Sequence, residues 1–232
     1  VSNFMQAVNP QITKFYSSGN LDEMHRLIFR SSRFSFYLML LLGLPLMKCI
    51  DYALGLWLVS VPEHTALFIQ LLMVFCLMDC LVQPLMTGLL AEGNIRVYEI
   101  VLVALNISNV FFSYVALRMD FAPESVYVVS IVVEVGIMWS RIWLSGKAYR
   151  LPVKRYCIEV LVNAAVVATL SGVFAWWIQL PISHSFVHFV IVALLVLVFT
   201  GVMIYLFGLN RSERVFVVNA FTKIWHRIVL KR

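Results

Sequence analysis

Two carboxylates, Asp79 and Glu134, stand near the middle of long apolar runs, where an ionisable group is expensive and marks function by default. An isolated carboxylate at that depth needs a partner, a proton or water, which is the condition for a protonation switch. The plain alternative, a polar residue facing a hydrated cavity, stays open for both. Asp79 is the first choice for a proton- or cation-dependent step, because Pro84 should loosen its helix about one turn later; Glu134 is the second. Lys48 and Asp51, three apart, would share one helix face as a neutralising pair just after Pro45, which removes a backbone hydrogen bond and should kink that helix. They are further ion-coupling candidates, or else a structural pair with Lys48 snorkelling outward. Arg141 is expected to snorkel as well.

A second set of residues could meet a polar ligand. Asn106, Ser108, Asn109 and Ser113 fall at i, i+2, i+3 and i+7 of one apolar run and are candidates for lining a substrate cavity. The same strip would equally serve interhelical hydrogen bonding. Other spacings carry less. His184 and His188 have the i, i+4 spacing of helical metal ligands without the intervening Glu of a metalloprotease motif, and Cys76 and Cys80 share that spacing with no further ligand cluster. There is no Gly-rich phosphate loop and no nucleophile elbow. No catalytic residue, metal or cofactor is therefore expected, and an enzyme is not the expected class.

The elements that must position these residues follow from composition. Of 232 residues 62% are hydrophobic and only 13% charged, with a mean hydropathy of +0.90. Ordinary soluble domains are about 45–50% apolar and about 25% charged, so a soluble enzyme core with one anchor is excluded. Stretches such as Val187 to Leu206 are apolar on every face, which excludes the alternating pattern of a β-barrel. The expected fold is all-α, a polytopic bundle with six spans: Phe34–Leu58, Thr65–Leu90, Tyr98–Leu117, Pro123–Leu144, Tyr156–Ile178 and His184–Gly208. Short connections make consecutive helices antiparallel neighbours. Residues 1–33 then read as the inner end of a preceding helix and a cytoplasmic loop, 34–208 as the bundle, and 209–232 as a basic cytoplasmic tail. In that tail Val217, Phe221, Ile224, Trp225 and Ile228 recur at helical spacing among basic residues, as in an amphipathic helix on anionic lipid.

The net charge of +6 would suggest nucleic acid in a soluble protein, but here its distribution decides. Sixteen of the eighteen Lys and Arg fall before the first span, in the even-numbered connections, near the inner end of the fourth span (Arg141) or in the tail, leaving only Lys48 and Arg118 on the other side. By the positive-inside rule both termini are cytoplasmic. The bilayer is the expected partner, and nucleic acid is not. Trp57, Trp176 and Trp177 at one set of helix ends, with Trp139 and Trp143 near the other, suit headgroup depth.

The segments between the spans carry a resemblance. The opening Phe4–Asn20, with its Pro10-Gln11-Ile12-Thr13-Lys14, is followed by Met24 to Arg33 and by a span containing Leu44-Pro45-Leu46 and Leu56-Trp57-Leu58. Then come Val61-Pro62-Glu63-His64-Thr65, Ala91-Glu92-Gly93-Asn94-Ile95-Arg96-Val97-Tyr98, and Gly208-Leu209-Asn210-Arg211-Ser212-Glu213-Arg214. In order and spacing this resembles the polysaccharide flippases, the O-antigen and capsule exporters of the multidrug/oligosaccharidyl-lipid/polysaccharide superfamily, over essentially the whole chain. Where that family usually has Ala-Thr-Gly, this chain has Ala91-Glu92-Gly93. The resemblance implies the C-terminal part of a two-lobe transporter, with the N-terminal portion of the same transporter as the missing partner. It implies a bacterial inner-membrane location and a polyprenyl-diphosphate-linked oligosaccharide as substrate, flipped at the expense of an ion gradient. The rival readings are a multidrug/cation antiporter of the same superfamily and a membrane-embedded enzyme acting on polyprenyl-linked sugars.

The basic asymmetry yields a direct test. In a background without the native cysteines, Ser60→Cys and Pro181→Cys should react with an impermeant maleimide in intact cells, and Ser212→Cys should not. Labelling of Ser212→Cys alone would invert the topology.

Overall fold

The structure, a computed structural model, describes residues 2–93, 95–178, 186–210 and 213–214. Among these the chain is all-helical: α1 (Ser2–Ser17), α2 (Leu21–Lys48), α3 (Ile50–Trp57), α4 (Thr65–Glu92), α5 (Arg96–Arg118), α6 (Ser125–Ala148), α7 (Val153–Trp177) and α8 (Phe186–Gly208). Six of them, α2 and α4 to α8, are long and apolar enough to cross a membrane, so this is a multi-pass membrane protein. The spans begin and end within a few residues of the hydropathy reading, with one exception. α2 starts at Leu21 rather than Phe34, because Asn20 caps it by accepting from the Glu23 amide at 3.3 Å and Asp22 and Glu23 favour its first turn. Only Ser18–Asn20 separate it from α1, turned by Gly19 at φ +72°. The same span breaks at Cys49, whose amide bonds to the Pro45 carbonyl at 3.1 Å, and resumes as α3. The tail from residue 215 onward, the connection 179–183 and His184 lie outside the described residues.

α2 is central, packed between α4 on one side and α7 and α8 on the other; α6 lies on α4, and α5 packs chiefly on α6. α1 closes one end, setting Val8 and Ile12 against Met24 and Ile28 of α2 and Leu85 and Leu89 of α4, with Thr87 donating to the Asn9 side chain at 2.9 Å. That end carries Arg26, Arg30, Arg33, Lys147, Arg150 and Arg155 and is called the basic end below. Apolar attraction between helices is weak in lipid, so polar keys and small residues must specify the packing. Three buried tyrosines do this. Tyr149 donates to the Leu85 carbonyl at 3.4 Å; Tyr156 reaches the Leu81 carbonyl at 2.5 Å and Ser32 at 3.0 Å; Tyr37 lies 3.2 Å from the Gly208 carbonyl and 3.1 Å from Asn163. Burial raises the Tyr149 phenol above its ordinary range, so it stays a donor at neutral pH. At the opposite end Tyr52 of α3 stacks on Phe189 of α8, centroids 5.1 Å apart.

Tyr149 can lie flat on α4 only because position 88 is glycine, where an added Cβ would come within 2.8 Å of the ring. Gly88→Ala should destabilise the bundle by about 1–3 kcal/mol, read as a lower thermal midpoint in detergent. Gly172→Ala, with nothing within 4 Å of the new methyl, should leave the midpoint unchanged or slightly raised.

Candidate functional site

α6 places Glu124, Tyr127, Ser130, Glu134 and Arg141 at steps of three, three, four and seven, so they follow one face of the helix. α4 sets His64, Phe68, Leu72, Phe75 and Asp79 opposite them, and α5 adds Asn106, Asn109 and Tyr98. The result is a polar file along the α4–α6 seam. At its deep end Arg141 donates from Nη1 to Asp79 Oδ1 at 2.9 Å and from Nε to the Tyr98 hydroxyl at 3.2 Å, while Gln83 donates to Asp79 Oδ2 at 2.7 Å. Arg141 is buried. It does not snorkel, because a carboxylate two helices away in sequence gives it a nearer partner than the interface.

Glu134 is in a different state. It is 2% exposed and its Oε1 has no hydrogen-bond partner among the described residues. It faces a cavity of about 150 Å³ lined by Asn106, Asn109, Tyr127 and Ser130 together with apolar groups of α4. That space suffices for several water molecules, each occupying about 30 Å³ in the liquid. The charges of Asp79 on α4 and of Arg141, two turns further along α6, act on Glu134.

The remaining candidates separate. Asn109 and Ser130 exchange hydrogen bonds across α5 and α6 at 3.2–3.3 Å, and Ser113 reaches Asn109 at 3.4 Å, so this part of the strip ties helices together while also lining the cavity. Asn106 bonds its own Leu102 carbonyl at 2.8 Å and borders the cavity; Ser108 bonds back to Leu105 at 2.7 Å and lies outside it. Lys48 and Asp51 do not pair. The break at Cys49 puts them on separate helices, and Asp51 is exposed. Among the described residues no group of three His, Cys, Asp or Glu could hold a metal ion.

Sequence reasoning passed over Tyr127, Ser130, Tyr98, His64 and Glu124. The helical spacing of the α6 set was a usable signal; the pairing of Arg141 with Asp79, 62 residues away, was not. A larger cavity of about 590 Å³ opens at the basic end beside Arg26, Arg30, Arg33 and Arg155. Three of these arginines are matched there by carboxylates: Arg26 by Glu23 at 2.7 Å, Arg155 by Glu159 at 2.5 Å, and the buried Arg33 by Glu213 at 2.5 Å.

No family model matches the chain, and neither a curated protein nor a solved structure does.

The two carboxylates differ in compensation: Asp79 is paired with Arg141, and Glu134 is the one left without a bond. Asp79→Asn should lower stability by about 3 kcal/mol by stranding Arg141, and Asp79→Asn with Arg141→Gln should recover most of the loss. Glu134→Gln should be neutral or stabilising. Thermal unfolding of the purified variants in detergent checks all three.

Proposed function

We propose that this chain is the C-terminal portion of a two-lobe transporter that flips a polyprenyl-diphosphate-linked oligosaccharide across the bacterial inner membrane, driven by an ion gradient, with both termini cytoplasmic. The observation that carries transport is the polar file. A bundle that served only as scaffold has no use for an unbonded carboxyl group, a partly buried ion pair and a hydratable cavity in its spans, since each is costly in lipid. Transporters that rock one repeat against another hold such groups at the repeat interface near the midplane.

The substrate class rests on the resemblance of the connecting segments and on the chemistry available. Asn106, Asn109, Ser130 and Tyr127 can exchange hydrogen bonds with sugar hydroxyls. At the basic end Arg26 and Arg155 are exposed and carry surface ion pairs worth about 0–1 kcal/mol each, Arg155 also lying over the Phe29 ring at 5.7 Å. A diphosphate, which pairs with guanidinium in a bidentate manner, displaces such carboxylates. An acidic cavity with Phe75 and Tyr127 on its walls would also suit an organic cation, which keeps the multidrug/cation antiporter as the second reading. An enzyme on the same lipid-linked sugars is disfavoured by the described connections opposite the basic end, which at 58–64 and 119–124 are too short for an active-site loop.

Deleting the gene in its host should leave the lipid-linked oligosaccharide on the cytoplasmic side of the inner membrane and strip the corresponding glycan from the surface, with recovery on complementation. Intact surface glycan together with new sensitivity to cationic dyes would instead select the antiporter.

A further inference from the structure

We infer that Glu134 exchanges a proton with the side of the membrane opposite the basic end, along the α4–α6 seam, and that His64 and Glu124 form the mouth of that path. The inference deepens the ion-coupled transport proposed above and takes its sidedness from that reading, yet it is testable without any transport measurement.

The mouth is built by two connections. His64, at φ +66° just before α4, pairs through Nδ1 with a carboxylate oxygen of Glu124, just before α6. The two differ in exposure. The His64 side chain is 46% exposed and that of Glu124 only 11%, so the pair has one member in solvent and one under the surface. The second Glu124 oxygen is buried without a hydrogen-bond partner among the described residues, a polar atom left for a proton or a water to satisfy. Glu63 and Asp120 lie in the same connections, and Arg118 is held aside by the Tyr114 hydroxyl at 2.9 Å. One turn below the mouth Tyr127 packs on Phe68, centroids 5.5 Å apart, and borders the cavity that ends at Glu134. From Glu124 to Glu134 is ten residues of helix, about 15 Å of rise, and Tyr127, Ser130 and Asn109 supply hydroxyl and amide groups along it.

The path closes beyond Glu134. The charged groups that face it are Asp79 from α4 and Arg141 from α6, already paired with each other; α5 brings the neutral Asn106 and Asn109. Below them Val82, Leu85 and Ile142 are fully buried and Tyr149 nearly so, an apolar plug between the pair and the basic end. Proton binding forms one O–H bond at Glu134 and changes its charge from −1 to 0, with the proton drawn from water at the mouth. No other group in the seam need change charge. The Asp79–Arg141 pair then acts as a fixed neutral floor, and Glu134 as the buried carboxyl group whose charge follows the medium.

Dicyclohexylcarbodiimide tests this. It is lipid-soluble and adds to protonated carboxyl groups in apolar surroundings to give a stable N-acylurea, located by peptide mass spectrometry. In sealed right-side-out membrane vesicles containing the protein, the adduct should form on Glu134 and not on Asp79, and should vanish in Glu134→Gln. Its yield should rise several-fold when the outer medium is acidified at constant inner pH, and not when the interior is acidified at constant outer pH. An adduct that tracks the inner pH, sits on Asp79 or fails to form on Glu134 would overturn the path. Loss of the adduct on adding sodium at constant pH would assign the site to a metal cation instead. The mouth has its own readout: Tyr127→Cys, in a background without the native cysteines, should react several-fold faster with an impermeant methanethiosulfonate from outside once Glu124→Gln loosens the pair. An unchanged rate would remove His64 and Glu124 from the proposal.

Discussion

A charge inside a bilayer persists only with a partner or with water, and the Asp79–Arg141 pair is where this chain meets that constraint. The pair joins α4 to α6 within their spans, so the two helices must hold a common register to keep it. Everything else on the seam inherits that register. It sets Phe68 against Tyr127, brings His64 to Glu124, and leaves Glu134 buried with a cavity beside it.

The rest of the bundle is held by a different economy. Most large apolar side chains on α5 and α8 point away from the protein, as Ile107, Val110, Val187 and Val198 do, because lipid is as good a surrounding as another helix. Specificity falls to polar atoms and to close approach. The three tyrosine keys span α2, α4, α6, α7 and α8, and two of them lie over glycines, Tyr149 over Gly88 and Tyr37 over Gly208. These keys gather at the basic end, which α1 also plugs. The opposite end is held by a smaller apolar cluster of Cys49, Ala175, Val192 and Val196, by Tyr52 on Phe189 and by Gln70 donating to the Met47 carbonyl at 3.2 Å. The same end holds the His64–Glu124 pair.

How much was legible beforehand varies with the physical signal. Hydropathy responds to lipid contact, so α4 to α8 were bounded within a few residues, from Thr65–Leu90 against Thr65–Glu92 to His184–Gly208 against Phe186–Gly208. It does not respond to helices in water or at headgroups. The polar stretch from Leu21 to Arg33 therefore read as a loop although Asn20, Asp22 and Glu23 are a helix start, and those three residues were the signal to use. The pair expected at Lys48 and Asp51 failed because a three-residue spacing implies contact only in an unbroken helix, and Pro45 is followed by a break.

For the site, the sequence by itself determined which residues are costly: an acid in mid-span is recognisable from its neighbours in the chain, and Asp79 and Glu134 were both found that way. Only the tertiary structure decided which of them is satisfied. Burial cost depends on local hydropathy, which is written along the chain, whereas compensation depends on which distant helix supplies a partner. Arg141 compensates Asp79 across α4 and α6 and leaves Glu134 unbonded, and no spacing within one helix encodes that choice.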